Sequence, residues 1–406
     1  MKEPNAAAEG RTSGARASAE RRTTAARTSP VKRLIDFGQS PWLDFIQRRL
    51  ITSGELARLV SEWGLRGITS NPTIFEQAIA ETDDYDADIE RLAREGKTAA
   101  EIYDALTVAD VASAADVLRP VYDATGGADG FVSLEVSPHL AADAGATIAE
   151  AKRLFGALAR PNVMIKVPGT EEGLTALRAL VGEGLNINVT LLFSIERYRD
   201  VQTAYLEGLE AAAESGRKLE TIASVASFFL SRIDVLVDRE LDAIAALGAD
   251  RERKARALRG RAAIASARLA YEIYEEFVAS PRYRRLASIG GRVQRLLWAS
   301  TGTKDPAYSD VKYVEALIGP DTINTMPLKT LRAYDDHGDP APRLTGHVDE
   351  ARRTLAELKE IGIDPADVAE RLLVEGLEKF VKAYDSLLAT IEAARRKTVE
   401  TGHAKE

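Results

Sequence analysis

The sequence predicts an α/β protein folded as a (β/α)8 TIM barrel with additional helices, and three observations carry that expectation. Eight short apolar runs lie between turn signals, helix-period segments separate them, and the runs are too continuously apolar for a sheet with one wet face. In order they are PWLDFI (41–46), RGITS (66–70), GFVSLEV (130–136), NVMIKV (162–167), INVTLLF (187–193), TIASVAS (221–227), RLLWAS (295–300) and TINTM (322–326). Strand then helix, repeated, means a parallel sheet, and eight such units fit a closed barrel better than an open doubly wound sheet. Helical spacing runs from Ile148 to Leu158, Gly173 to Val181 and Ile195 to Ala213. Two connections, Thr73 to Ala128 and Ser231 to Val293, are long enough to hold extra helices. A last helix opens with Asp364 as N-cap, Pro365 at N1 and Asp367 at N3, and its Leu373, Leu377, Phe380, Tyr384, Leu388 and Ile391 should form one buried stripe.

With 45% hydrophobic and 29% charged residues among 406, the chain can close a large core. It shows no repeat beyond the strand and helix alternation, so residues 31–398 are expected to be a single barrel domain, with 399–406 a flexible tail. Residues 1–30 hold six Lys/Arg, three Glu and almost no large apolar side chain, and read as a disordered extension whose removal should leave activity unchanged. They contain no apolar stretch of the kind a secretory signal needs, and no later run approaches a membrane span, so a soluble, cytoplasmic protein is expected. The absence of cysteine removes disulfides, thiolate metal sites and a Cys nucleophile, and favours a reducing compartment. The four histidines, His139, His337, His347 and His403, lack metal-ligand spacing, so no metal is expected. A net charge of −8 argues against general nucleic-acid binding while leaving room for a local phosphate pocket.

Chemistry is signalled by charge inside apolar strands. Lys166 sits in MIKVPGT near the C-terminal end of its strand, where barrel side chains face the active site. A desolvated lysine there is expected to have its pKa lowered from about 10.4 towards about 7 to 8, giving a free amine that forms Schiff bases with carbonyls. Asp44 in PWLDFI and Glu135 in FVSLEV interrupt their strands in the same way. Each alone reads equally well as a structural partner for a cation. An amine with two carboxylates is the set that proton transfer during Schiff-base formation and carbon–carbon cleavage requires.

The blocks GITSNPTIFE, VSLEV, NVMIKVPGT, INVTLLFS, WASTGTKDP and NTMPLKTL, in this order, resemble the transaldolase family in its larger bacterial form, within the class I aldolase superfamily. The resemblance spans roughly Leu34 to Leu388. It implies a barrel with the Schiff-base lysine on the fourth strand, where NVMIKV stands, and an enzyme, a transferase, that moves a dihydroxyacetone unit without metal or organic cofactor. The implied reaction takes sedoheptulose 7-phosphate and glyceraldehyde 3-phosphate to erythrose 4-phosphate and fructose 6-phosphate in the non-oxidative pentose phosphate pathway. By position, Lys166 matches the Schiff-base lysine, Asp44 the acid/base at the cleaving bond, and Glu135 with Thr190 the pair that holds a proton-shuttling water. Asn71 and Asn188 match asparagines that bind substrate hydroxyls, although Asn71 before Pro72 also fits a plain turn. Ser227 matches a contact to the three-carbon unit, and Arg232 and Ser300 match phosphate contacts. Shorter members carry a second arginine two residues after that serine; this chain has Gly302 there, and Lys304 is expected to supply the charge.

Two other readings are set beside the transferase. A related fructose 6-phosphate aldolase, a lyase, has glutamine at the Glu135 position and tyrosine at the Phe229 position, and a noncatalytic scaffold would not need the lysine and carboxylates. Three further signals read as structure. TGTK lacks the earlier glycine of a phosphate loop, DDHG (335–338) reads as a solvated turn, and RERKARALRGR (251–261) reads as a solvated helix face.

Overall fold

A computed structural model describes residues 28–403. Eight parallel strands close into one barrel: β1 Gln39–Asp44, β2 Gly67–Thr69, β3 Phe131–Glu135, β4 Val163–Pro168, β5 Ile187–Leu192, β6 Ser224–Phe229, β7 Gln294–Ala299 and β8 Thr322–Met326. The ring is sealed where β8 pairs with β1, from Gln39 opposite Thr322 to Leu43 opposite Met326. All eight apolar runs are strands, and most edges agree within a residue or two. The largest differences are at β1, which begins earlier, and at β6, where a 3-10 turn, Leu219–Thr221, delays the strand.

The helices form the outer layer, and hydroxyl and carboxylate caps mark where they start. Asp143, Thr170 and Ser194 each accept a hydrogen bond from a backbone N–H of the first turn, and Thr98 with Glu101 forms a reciprocal capping box. The long connections hold helices as expected: Pro72–Ala80, Asp86–Arg94 and Ala99–Ala124 in the first, Ser231–Ala245, Ala249–Leu258, Ala262–Ala279 and Pro281–Ala287 in the second.

The C-terminal helix, Pro365–His403, opens as expected, with Asp364 Oδ1 accepting from Ala366 N at 3.0 Å. Its buried line differs by about one position from the expected stripe. Leu372, Gly376, Phe380, Ala383, Leu387 and Ile391 face the core, while Leu373, Leu377, Tyr384 and Leu388 flank it half-buried. The shift follows from Gly376 and Ala383, small residues that admit close contact but carry no strong apolar signal. The helix continues through residues 399–403, into the stretch read as a tail.

At the other end, Pro30 is already buried and starts a short helix, and Ser29 Oγ donates to Asp335 Oδ1 at 2.5 Å; the expectation for residues 1–27 lies outside the described residues. DDHG is not a free turn, because its first three residues complete the helix Leu328–His337, where His337 meets Asp310 at 3.0 Å. The Arg-rich 251–261 stretch is largely helical, with Ala255 and Leu258 buried and its arginines outward. Among the described residues no helix is long and apolar enough to cross a membrane.

Candidate active site

Strand register brings the charged residues together. Glu135 on β3 stands directly opposite Lys166 on β4, and Lys166 opposite Asn188 on β5. With alternate side chains pointing inward, all three enter the barrel. Lys166 Nζ donates to Glu135 Oε2 at 3.1 Å and to the Ser70 carbonyl at 2.9 Å, and the two side chains are only 4% and 6% exposed. Burial drives the Glu135 carboxyl above its ordinary pKa, against the opposing pull of Lys166.

Asp44 ends β1 with one face open to the cleft and the rest enclosed by protein. Loss of solvent raises its pKa, opposed by the Thr69 hydroxyl, which donates to Oδ1 at 2.7 Å, and by the charges of Lys166, Arg232 and Lys304. Thr69 is fixed in turn by Thr325 at 2.7 Å, so a pair of interior hydroxyls sets the direction of the carboxylate.

The cleft has a volume of about 110 Å³. Asp44, Asn71, Lys166, Thr190, Ser227, Phe229, Arg232, Ser300 and Lys304 all stand on its wall, as the sequence led one to expect. Glu135 and Asn188 are bonded directly to residues of that wall. Glu135 accepts from Lys166, and Asn188 holds its neighbours: its Nδ2 donates to Ser133 Oγ at 3.1 Å and its Oδ1 accepts from Ser227 Oγ at 2.7 Å. Asn71 has the structural role that its place before Pro72 suggested and also reaches the cleft. Its Oδ1 caps the helix Pro72–Ala80 by accepting from Ile74 N at 3.0 Å, which leaves Nδ2 for the cleft. Thr190 Oγ1 is buried without a hydrogen-bond partner in the protein, a state that buried hydroxyls rarely tolerate unless a ligand or water completes them. It lies beside an irregularity in the β5–β6 pairing between Val189 and Leu192, where Leu191 adopts φ 59°.

At the other end of the cleft stand two cations, both in the field of Asp44. Among the described residues neither Arg232 nor Lys304 has a carboxylate within 4 Å. The Arg232 guanidinium lies over the rings of Phe229 and Phe380, 5.5 and 5.8 Å from their centroids, and burial lowers its pKa. Lys379, next to Phe380, has its ammonium pushed down by burial and then by the like charges of Arg232 and Lys304, so it shares their field. Ser300 holds a left-handed backbone, φ 54°, and its hydroxyl shares a 2.8 Å hydrogen bond with Ser231. Backbone strain of this kind gathers at functional sites.

Sequence reasoning missed Thr69, Thr325, Phe380 and Gly376. Thr69 carried a signal, a polar residue inside an apolar strand, as Asp44 did. Phe380 read as helix core, and nothing in the sequence separates a core phenylalanine from one that also walls a cleft. A Cβ on Gly376 would come within 3.1 Å of Leu191 and 3.3 Å of Arg232 Nη1, so glycine there lets the C-terminal helix settle onto the mouth. A larger apolar cavity, about 620 Å³, lies among outer helices and contains none of the expected site residues. Among the described residues no three His, Asp or Glu side chains converge as a metal ion would need.

Residues 41–391 match the family model described as transaldolase/fructose-6-phosphate aldolase. The chain is 49% identical over 362 residues to a transaldolase 2 of Nostoc sp., covering 88% of this chain and 95% of that protein. It is 50% identical over 360 residues to a transaldolase of Thermobifida fusca, covering 88% and 96%, and 50% identical over 367 residues to a transaldolase 1 of Streptomyces avermitilis, covering 90% and 96%. On a closed eight-stranded barrel with an amine, two carboxylates and two further cations gathered at one end, this likeness over most of the chain and nearly all of each relative has one meaning: the chain belongs to the transaldolase/fructose-6-phosphate aldolase family, and its activity is that of a transaldolase, a transferase.

Proposed function

We propose that Lys166 carries the transferred three-carbon unit as a Schiff base, with Asp44 as acid/base and Glu135 with Thr190 managing the water. The donor is sedoheptulose 7-phosphate or fructose 6-phosphate and the acceptor an aldose phosphate, as the non-oxidative pentose phosphate pathway uses them. One observation carries this reading. A buried lysine reaches the cleft wall already hydrogen-bonded to a carboxylate, and the far side of that cleft offers Arg232 and Lys304 to a phosphate.

The free amine of Lys166 attacks the C2 carbonyl of the ketose, and with one proton the adduct loses one water to give an iminium. The iminium draws in the electrons of the C3–C4 bond as Asp44 removes the proton of the C4 hydroxyl, so that C4 leaves as an aldehyde and an enamine remains on the lysine. Addition of the enamine to the acceptor aldehyde reverses these transfers, Asp44 returns the proton, and one water hydrolyses the new iminium. Ser227, held by Asn188, and Asn71 bind the hydroxyls of the unit. Arg232 meets the phosphate with paired N–H donors; Ser300 and Lys304 complete that contact.

Borohydride trapping with fructose 6-phosphate, followed by peptide mapping, tests the reading. A three-carbon adduct on Lys166 alone is expected, and a folded, unmodified protein would overturn it. Withholding the acceptor aldehyde separates transferase from lyase, since only a lyase sustains turnover of fructose 6-phosphate.

A further inference from the structure

Lys304 stands on a connection without helix or strand, residues 300–311, that follows β7. A long exposed side chain on such a loop places its charge poorly unless neighbouring contacts fix the backbone that carries it. Here the contacts come from the helix Ser231–Ala245, whose second residue is Arg232. Asp234 and Asp238, one turn apart on that helix, are 2% and 6% exposed. Asp238 Oδ2 accepts from the Tyr308 hydroxyl at 2.8 Å, and Asp234 Oδ2 accepts from Lys312 Nζ at 2.7 Å and from the Tyr313 hydroxyl at 2.8 Å. Their other oxygens accept from backbone, Asp238 Oδ1 from Gly260 N and Asp234 Oδ1 from Ala263 N, both at 2.8 Å. Gly260 has φ 67°, and a Cβ there would come within 2.7 Å of the Tyr308 ring and 2.8 Å of Lys312 Nζ, so the docked loop leaves no room for a side chain. Beside Lys304 itself, Asp305 Oδ2 accepts from Arg259 Nη2 and Oδ1 from Ala307 N, both at 2.9 Å. The start of the loop is tied to the same helix, because Ser231 N donates to the Ser300 carbonyl at 3.1 Å.

Two buried carboxylates one turn apart repel each other and lose hydration, and apolar packing would hold a loop as firmly. What directional hydrogen bonds add is a fixed position. We propose that Asp234 and Asp238 are positioning residues of the phosphate site: by seating Tyr308 and Lys312 they set where Lys304 stands relative to Arg232, so that one phosphate meets both cations. Neither carboxylate touches substrate. The inference rests on the reading of Arg232 and Lys304 as phosphate contacts and deepens it.

The test is a double-mutant cycle read in KM. Tyr308→Phe removes the hydroxyl that Asp238 holds, and Arg259→Gln removes the tie beside Lys304. Each is expected to raise KM for fructose 6-phosphate by about threefold, with kcat within about twofold and kcat/KM for unphosphorylated fructose unchanged. In a Lys304→Ala background the same substitutions should raise KM by less than about 1.5-fold, since the cation they place is gone. A rise of equal size with and without Lys304, or on fructose as on its phosphate, would make the network purely structural and overturn the proposal, as would an unchanged KM in both single variants. Two variants guard against one that fails to fold. If Lys304→Ala alone leaves KM unchanged, the phosphate reading itself falls and the inference with it; that failure shows with the network intact, so the two are distinguishable.

Discussion

The two ends of the barrel use similar side chains to opposite effect. At the bottom, Asp129 accepts from Ser40 at 2.6 Å, from Arg66 and Arg295 at 3.2 Å each, and from Trp42 at 3.3 Å, while Arg295 also donates to the Thr322 carbonyl at 2.8 Å. Ser40, Trp42, Arg66, Asp129 and Arg295 line a cavity of about 390 Å³, larger than the cleft at the mouth. At the mouth, among the described residues, Arg232 and Lys304 have no carboxylate within 4 Å and Thr190 Oγ1 has no hydrogen-bond partner. Neither the number of charges nor the size of the cavity separates the ends. The difference is how the charges are paired: at the bottom Asp129 lies within 3.2 Å of both Arg66 and Arg295, whereas among the described residues no carboxylate lies within 4 Å of Arg232 or Lys304 at the mouth, which leaves those two cations available to an anion.

The sharpest way to break this comparison is one substitution at each end. Lys166→Ala should cut turnover by about 10⁴-fold or more with the fold retained. Asp129→Asn should keep turnover and lose about 3 kcal/mol of stability, read as a lower urea midpoint, because it strands two partly buried arginines. Loss of activity at an unchanged midpoint in Asp129→Asn would erase the distinction.

Next is Asp44→Asn, expected to lower kcat/KM by about 10²- to 10⁴-fold. Because burial raises the Asp44 pKa, the folded chain binds this proton more tightly than the unfolded chain. Its contribution to stability is full at low pH and declines as pH rises from the ordinary carboxylate range through the raised value. Activity, which needs the carboxylate, should climb over that same interval. In Asp44→Asn the decline should vanish and the melting temperature at neutral pH should rise; a lower melting temperature there would contradict the assignment.

Smaller effects are expected at the phosphate end. Arg232→Gln should raise KM for phosphorylated donors by about 100-fold and Lys304→Ala by about tenfold, both with far smaller changes in kcat. Steady-state kinetics with phosphorylated and unphosphorylated ketoses reads the split, and equal losses on both would assign these residues a structural role. Phe380→Leu removes one ring beneath the guanidinium and should raise KM about threefold, from about 0.5–1 kcal/mol of cation–π attraction; an unchanged KM would mean that Phe229 suffices.

The fold was legible because buried parallel strands write themselves as apolar runs, so even the pairing order follows from the chain. Lys166, Asp44 and Glu135 were legible for the complementary reason, since charge in such a run has a cost that needs a cause. What the sequence hid is direction and depth. Glu135 accepts a hydrogen bond from the lysine, Asn188 positions Ser227, and Phe380 belongs at once to a helix core and to a cleft wall. The C-terminal stripe was misplaced because contact at Gly376 depends on the absence of a side chain, which an apolar pattern cannot register.

The setting of Arg232 also bears on how one site handles ketoses of different length. A guanidinium locked to a carboxylate has one position, fixed by two directional hydrogen bonds. One resting on the faces of Phe229 and Phe380 is held by an attraction that changes little as it slides. The six- and seven-carbon donors proposed above share the end that would bond to the lysine and differ in how far away their phosphate lies. On the proposed reading, the aromatic rings would act as a bearing, on which one arginine could meet either phosphate while the reacting carbons stay in place.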